Sequence, residues 1–388
     1  MHHWRNVLPI VSSGQAQPVR KVIILLPGGL ENGGGIGRQM EYFLHAYKSS
    51  AAAIKYEIVD TRGPWYLGAN PLLSSLAGFS MLASMFKLTL GRLSGGPVIA
   101  HVNIAGRGST IRKMILVMLA QVIGLRYLLH VHEPDYGSDF GRRGKFMQSV
   151  VRRGFRRAEK VIVLGRAEKQ SLIALLGLPP HQIAVLPNAV PDPQPDLGAR
   201  NAEPGCHFLF LGYLSARKGV PELLQALAHP TLAAKPWRAT LAGGGPVEEF
   251  RKTAESIGIA SRVDFPGWLA KPAVNAVCAA ADVLVLPSHG EGLAMSVLEG
   301  LSHGLAVITT PVGAHPEVID PEISGLFVPP GDVEALAAAL LRMIEDPPFR
   351  NKLQGAARAR YIEKFDVTGY ARRMAELHET LLSNQHAE

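Results

Sequence analysis

The sequence predicts an α/β protein made of two doubly wound parallel-sheet domains that face a central cleft, and three observations predict it. Short apolar runs alternate with helix-length segments along the chain, the pattern of right-handed βαβ units. The runs fall into two series. Between the series lies Pro191 to Pro204, a Pro-rich polar stretch that reads as a linker.

The first series predicts strands at Lys21–Leu26, Tyr56–Val59, Val98–Val102, Tyr127–Val131, Lys160–Leu164 and Ile183–Leu186. The second predicts strands at His207–Leu211, Arg238–Ala242, Val263–Phe265, Val283–Leu286, Ala306–Thr309 and Gly325–Val328. This divides the chain into a first domain over residues 1–190, a linker over 191–205 and a second domain over 206–366. A last helix, Val367 to Ser383, follows the completed second sheet. Leu72 to Leu90 and Ile111 to Leu129 are strongly apolar but broken by Gly78, Lys87, Gln121 and Gly124. Neither is an uninterrupted run of ~20 apolar residues, so both predict buried helices, with an interfacial helix at Leu72 to Leu93 as the alternative.

At 388 residues and 47% hydrophobic, the chain is long and apolar enough for two cores, and its 19% charge argues against disorder. Cys206 and Cys278 are too few for a disulfide framework, which favours a reducing, cytoplasmic setting. Residues 1 to 18 contain polar breaks and prolines in place of an apolar leader core. The net charge of +8 is uneven: +14 through Val190 and −6 beyond it. Such asymmetry points to a polyanionic surface facing the first half. Its focus is Arg142 to Lys160, where Phe146, Met147, Val150, Val151 and Phe155 interleave with the cations. A solvated helix face and peripheral docking on an anionic membrane both fit this stretch. Nucleic acid fits poorly, because no reader motif or stacking platform accompanies the charge.

In open α/β sheets ligands sit beyond the C-terminal strand ends, and the chemistry-bearing residues of this chain cluster there. Gly28 to Gly37 follows the first strand and opens a helix at Arg38; glycines let backbone approach a phosphate or a sugar. A nicotinamide site, with Asp60 as the ribose carboxylate, is the rival, but the glycines do not fit G-x-G-x-x-G. Gly212 to Gly219 carries Arg217 and Lys218, two cations able to neutralise a leaving diphosphate. His132 and His101 end strands, and Asn188 sits on the last loop of the first domain. Glu291 and Glu299 stand eight residues apart across a strand-to-helix loop. The N–H groups of Ala294, Met295 and Ser296 at that helix start favour an anion. Carboxylates beside a phosphate-friendly helix end suit a hydroxyl-rich ligand that carries phosphate, as a nucleotide sugar does; as plain dipole partners they would serve structure alone. No Asp-x-Asp pair, G-x-S-x-G elbow or Walker lysine occurs.

The run from Val283 to Asp332, with Glu291, Glu299, Gly313 to Ile319 and Gly325 to Asp332, resembles the retaining glycosyltransferases of family 4, which have the GT-B fold of two Rossmann-like domains. Weaker likeness lies at Gly28 to Gly37, His130 to His132, Pro187-Asn188 and Gly212 to Gly219. The resemblance implies transfer of a hexose from a UDP- or GDP-sugar to a glycan or a polyprenyl- or other lipid-linked acceptor; the missing Asp-x-Asp pair argues against a metal-held diphosphate, so no metal or other cofactor is expected. It implies that Glu299 accepts from the ribose hydroxyls, that Glu291 and His132 stand beside the donor sugar, and that Lys218 holds the diphosphate. Tyr213 replaces the family's usual arginine, so Arg217 is the candidate for the missing charge. Gly34 and Gly35 would neighbour the donor phosphate or the acceptor, and Gly267, Trp268 and Leu269 the base. Ala294 stands where relatives have Gly or Pro. The last helix, residues 367–388, should pack back on the first domain. Alternatives are a synthase or phosphorylase of the same fold with a soluble acceptor, and a silent nucleotide-sugar or membrane-binding scaffold.

Overall fold

The structure, a computed structural model, describes residues 20–30, 34–48, 54–62, 71–133, 135–193 and 205–383, except the side chains of 71–77 and Arg107. The linker residues 194–204 and the far C-terminus, 384–388, lie outside the described residues. The first half runs β1 (Arg20–Leu26), α1 (Gly34–Lys48), β2 (Ile54–Asp60), α2 (Pro71–Leu93), β3 (Val98–Ile104), α3 (Arg107–Val122), β4 (Arg126–Val131), α4 (Tyr136–Gly141), α5 (Lys145–Arg156), β5 (Lys160–Val163), α6 (Arg166–Leu176) and β6 (Ile183–Val185). The second half runs β7 (Cys206–Leu211), α7 (Val220–Leu227), β8 (Trp237–Ala242), α8 (Val247–Ser256), β9 (Val263–Gly267), α9 (Lys271–Ala280), β10 (Val283–Leu286), α10 (Met295–Ser302), β11 (Ala306–Thr309), α11 (His315–Val318), β12 (Leu326–Phe327), α12 (Val333–Glu345), α13 (Pro347–Lys364) and α14 (Val367–Ser383).

The strands form two parallel six-stranded sheets, ordered β2-β1-β3-β4-β5-β6 and β12-β11-β10-β7-β8-β9. Helices cover both faces of a parallel sheet, so its strands read as unbroken apolar runs; every residue of β3 and of β7 is buried. Strand order reverses beside β1 and beside β7. The loops leaving these two strands carry the glycine-rich and the Arg217-Lys218 segments, so both motifs lie at switch points, where such folds bind ligands.

The chain crosses between the halves twice, side by side. Val190 accepts from the Val367 N–H at 3.1 Å and donates to Phe365 O at 3.1 Å, and the buried Tyr361 hydroxyl donates to Val190 O at 3.0 Å. Helix α14 then lies on the first half, against α1 and β3. Arg20 holds its end through Glu379 O (3.0 Å) and Ser383 Oγ (2.8 Å).

Two expectations change. Helix α1 starts at Gly34, not Arg38. Glycine is a poor helix former, yet tertiary packing overrides propensity here. A Cβ on Gly37 would lie 2.7 Å from Leu30 O, so the missing side chain lets the first turn rest on the loop carbonyls. The two apolar stretches are also not simply buried. Residues 111–129 divide into α3 and β4 around Gly124, which has φ +64°. Phe79, Leu82, Phe86, Leu90 and Leu93 of α2 are 56–75% exposed at helical spacing, a continuous outer stripe. Ile111, Ile115, Met118 and Val122 form a second exposed stripe on the adjoining α3. Among the described residues no helix is long and apolar enough to cross a membrane.

Candidate active site

The loop after β10 brings Glu291 under the turn that follows β7. Lys218 Nζ lies 2.6 Å from Glu291 Oε1, and Ser288 Oγ donates to the same oxygen at 3.0 Å. Arg217 Nη1 stands 3.7 Å from it and donates to Gly290 O at 2.5 Å. Thus Glu291, Arg217 and Lys218 are one cluster. Lys218 is half-buried while Arg217 is largely exposed, so the lysine is the more enclosed of the two charges. The backbone under Glu291 leaves no room for a side chain. Gly313 has φ +53°, and a Cβ there would lie 2.0 Å from Glu291 O.

Glu299 sits on α10, whose residues are all buried. Burial raises its carboxyl pKa, and the Arg38 guanidinium opposes that rise. Arg38 Nη1 lies 3.3 Å from Glu299 Oε1, joining α1 of the first domain to α10 of the second. Lys271 Nζ lies 4.6 Å from the centroid of the Tyr42 ring, a second bridge between the domains. The N–H of Ala294 is not open to an anion, as the sequence led us to expect. It donates to His315 Nε2 at 3.4 Å. The other ring nitrogen of His315 lies 3.1 Å from Thr310 O and 3.1 Å from Thr309 Oγ1. Burial keeps this imidazole neutral, so Nδ1–H donates to Thr310 and Nε2 is left to accept. Met295 and Ser296 occupy the first turn of α10, and Met295 Cγ lies 3.7 Å from where a Cβ on Gly35 would be. Gly34 has φ +58° and open space around it.

His132 belongs to a larger array. Its Nε2 is 2.9 Å from Asn103 Oδ1, and its ring lies 4.0 Å from that of His130. Behind it, His130 Nδ1 is 3.2 Å from His101 Nε2, His101 Nδ1 is 3.1 Å from His378 Nε2, and His378 Nδ1 is 3.0 Å from the Tyr56 hydroxyl. Burial pushes His132 and His378 down to about 3 and holds His101 and His130 well below the ordinary imidazole value. His101, whose role the sequence left open, is thus a buried link between sheet and α14.

The remaining candidates scatter along the rim. Gly267 O accepts from the Gly243 N–H at 2.8 Å, and Gly212 N donates to Ala242 O at 3.0 Å, tying the loops after β7, β8 and β9 together. Trp268 is 71% exposed on that rim and Leu269 is half-buried, and no hydrogen bond or ion pair joins them to the glutamates among the described residues. Asn188 Nδ2 donates to Leu293 O at 3.1 Å, a domain-to-domain strut. Asp60 Oδ1 accepts from Gly28 N and Arg62 N at 2.8 Å each, tying the end of β2 to the loop after β1. Among the described residues no cluster of three His, Cys, Asp or Glu is placed to hold a metal ion. The sequence did not single out Arg38, Tyr42, Lys271, Ser288 or His315. For His315 a signal existed, its place inside the Gly313 to Ile319 run.

Residues 205–346 match the family model described as glycosyl transferases group 1, and residues 40–189 match the glycosyl transferase 4-like domain. The chain is 22% identical to the alpha-D-kanosaminyltransferase of Streptomyces kanamyceticus over 75% of this chain and 79% of the relative. It is 26% identical to the amylovoran biosynthesis glycosyltransferase AmsK of Erwinia amylovora over 69% of this chain, spanning 64% of that protein. Sucrose-phosphate synthase from Thermosynechococcus elongatus superposes with a TM-score of 0.76 at 21% identity, over 94% of this chain and 100% of its own. HepE from Anabaena, solved with UDP and glucose, gives 0.71 at 18% identity over 93% and 100%.

Proposed function

We propose, from the premise that this chain belongs to the GT-B glycosyltransferases, that it moves a hexose from a UDP- or GDP-sugar to an acceptor hydroxyl with retention at the anomeric carbon. The observation that carries this is the pair of clusters on the second domain: Glu291 with Lys218 and Arg217, and Glu299 with Arg38. In this reading Glu299 accepts from the ribose hydroxyls, exchanging the long Arg38 contact for two charge-assisted bonds. The diphosphate sits against Lys218 and Arg217, drawing the lysine from Glu291 and freeing that carboxylate for the donor sugar. As the bond from C1 to the diphosphate oxygen breaks, the developing negative charge falls on these cations. The acceptor oxygen bonds to C1 on the same face, and its proton passes to the departing phosphate oxygen. Glu291 and His132 orient the sugar, Gly34 and Gly35 let α1 approach the donor, and Gly267 to Leu269 meet the base. Positive side chains and the start of α10 neutralise the phosphates, so no metal takes part. The solved HepE with UDP and glucose supports the donor class.

The acceptor in this reading is a glycan or lipid-linked sugar met at an anionic membrane surface. The apolar stripes of α2 and α3 adjoin, and α3 packs against the arginine-rich α5, whose Phe146 is exposed, which suits insertion of side chains among headgroups. The relative named for amylovoran biosynthesis supports a glycan product. A soluble acceptor is the second reading, favoured by the likeness to a sucrose-phosphate synthase. Release of UDP or GDP from a panel of nucleotide hexoses, with and without anionic vesicles, tests both. Release from no member would overturn the donor assignment, and release without any vesicle association would favour the soluble acceptor.

A further inference from the structure

A cavity of about 260 Å³ opens between the two domains, lined in part by Gly292, the residue after Glu291. Its first-domain wall is Tyr136 at the start of α4 and Ala167, Glu168 and Ser171 on the first turns of α6; its second-domain wall is Gly292 and Gly313. Both glycines keep the partition thin. A Cβ on Gly292 would lie 3.1 Å from His132 O, and the one on Gly313 would strike the Glu291 carbonyl. The loop that carries Glu291 therefore forms part of the cavity wall through Gly292, the next residue.

One wall group is incompletely bonded. Glu168 Oε2 accepts from the Leu164 N–H at 3.0 Å, but Glu168 Oε1 is buried without a partner. Buried polar atoms are almost always satisfied, so an orphaned carboxylate oxygen on a cavity marks a place for a donor. Burial, with Glu133 and Glu317 nearby, pushes this carboxyl up to about 8. An acidic ligand is disfavoured here. Asp135 also lines the cavity, and the Arg166 and Ala167 N–H groups of α6 are already taken by Glu317 of the second domain. The size, just under the roughly 300–1,000 Å³ of drug-sized sites, suits one ring and not a chain.

We infer that this cavity receives the acceptor's terminal sugar-like ring, and that Glu168 Oε1 accepts a hydrogen bond from a hydroxyl or amino group on it. The inference rests on the donor reading above only in calling the ring an acceptor. Glu168 is a specificity residue in this account, and the ring's reactive hydroxyl points past Gly292 toward the donor.

The test measures binding of methyl glucoside and methyl glucosaminide to the full chain by ligand-observed NMR, with and without UDP or GDP. The measurements are made at pH 9, above the raised Glu168 value, where the carboxylate is ionised; Glu168→Gln keeps the bond to Leu164 but removes the charged acceptor, and Ser171→Phe fills the cavity from its exposed rim. At least one glycoside should bind the wild type, and both variants should weaken it about tenfold or more, the scale of one lost charge-assisted bond, with nucleotide affinity unchanged. A glucosaminide preference that vanishes in Glu168→Gln identifies an amine; equal loss of both glycosides identifies a hydroxyl. Glycoside binding that survives both variants, or no binding to the wild type, overturns the inference. Failure of UDP and GDP to bind, with glycoside binding still lost in the variants, would instead overturn the donor reading alone.

Discussion

Replacing Glu299 with glutamine keeps the side-chain volume inside an entirely buried helix and removes only the carboxylate charge. In the ligand-free protein the change costs little, because the partner Arg38 is 35% exposed and 3.3 Å away, and such pairs contribute about 0–1 kcal/mol. The nucleotide complex should suffer more. If the ribose hydroxyls donate to this buried carboxylate, the loss is roughly 1.5–3 kcal/mol, or about 10- to 150-fold in affinity. Calorimetry with UDP, GDP and their 2′-deoxy forms measures it, and circular dichroism checks the fold. Coupling decides the assignment. The 2′-deoxy nucleotide already lacks one of the two bonds, so Glu299→Gln should weaken it measurably less than the ribonucleotide. Equal weakening of both, or no weakening of either, would refute the ribose role.

Nucleotide release should persist in EDTA, since Lys218, Arg217 and the start of α10 carry the neutralisation; loss in chelator restored by magnesium or manganese would contradict this. Acid should destabilise the fold through the histidine array. His378 and His132 are held to about 3 in the folded protein, below the ordinary value near 6.5. Between those values the unfolded chain binds protons that the native state refuses, so each such histidine costs about 1.4 kcal/mol per pH unit as pH falls. Urea melts of wild type and His378→Gln at pH 7.5 and 5.5 should show a shallower loss in the variant; parallel losses would remove the array from the explanation. Replacing Arg152, Arg153, Arg156 and Arg157 with glutamine should release the protein from anionic vesicles, at about 1 kcal/mol per charge, with nucleotide release in solution unchanged. Wild type that ignores such vesicles at low salt would make α5 a solvated face.

The strands were legible because parallel strands buried on both faces leave unbroken apolar runs, as in Val98–Ile104 and Cys206–Leu211. Glu291 and Lys218 were legible because each lies on a loop just past such a run, and Glu299 because it stands on the helix that this loop enters. What stayed hidden depends on contacts between the domains. Arg38 and Glu299 are 261 residues apart, and nothing local to Arg38 marks it as a partner. His101 and His378 likewise meet only because α14 returns to the first domain. The stripes of α2 and α3 were read as buried by default, with an interfacial helix at Leu72 to Leu93 as the alternative, because apolar composition alone does not say which side of a helix a neighbour covers.

The most direct test of the central claim is the stereochemistry of the first product. Proton NMR of the reaction with an α-linked UDP- or GDP-hexose that the protein turns over should show the α-anomer forming first, and Lys218→Ala should slow its appearance by at least about 100-fold, the scale of one lost transition-state contact. A β-anomer formed first, or turnover indifferent to Lys218, would contradict the account.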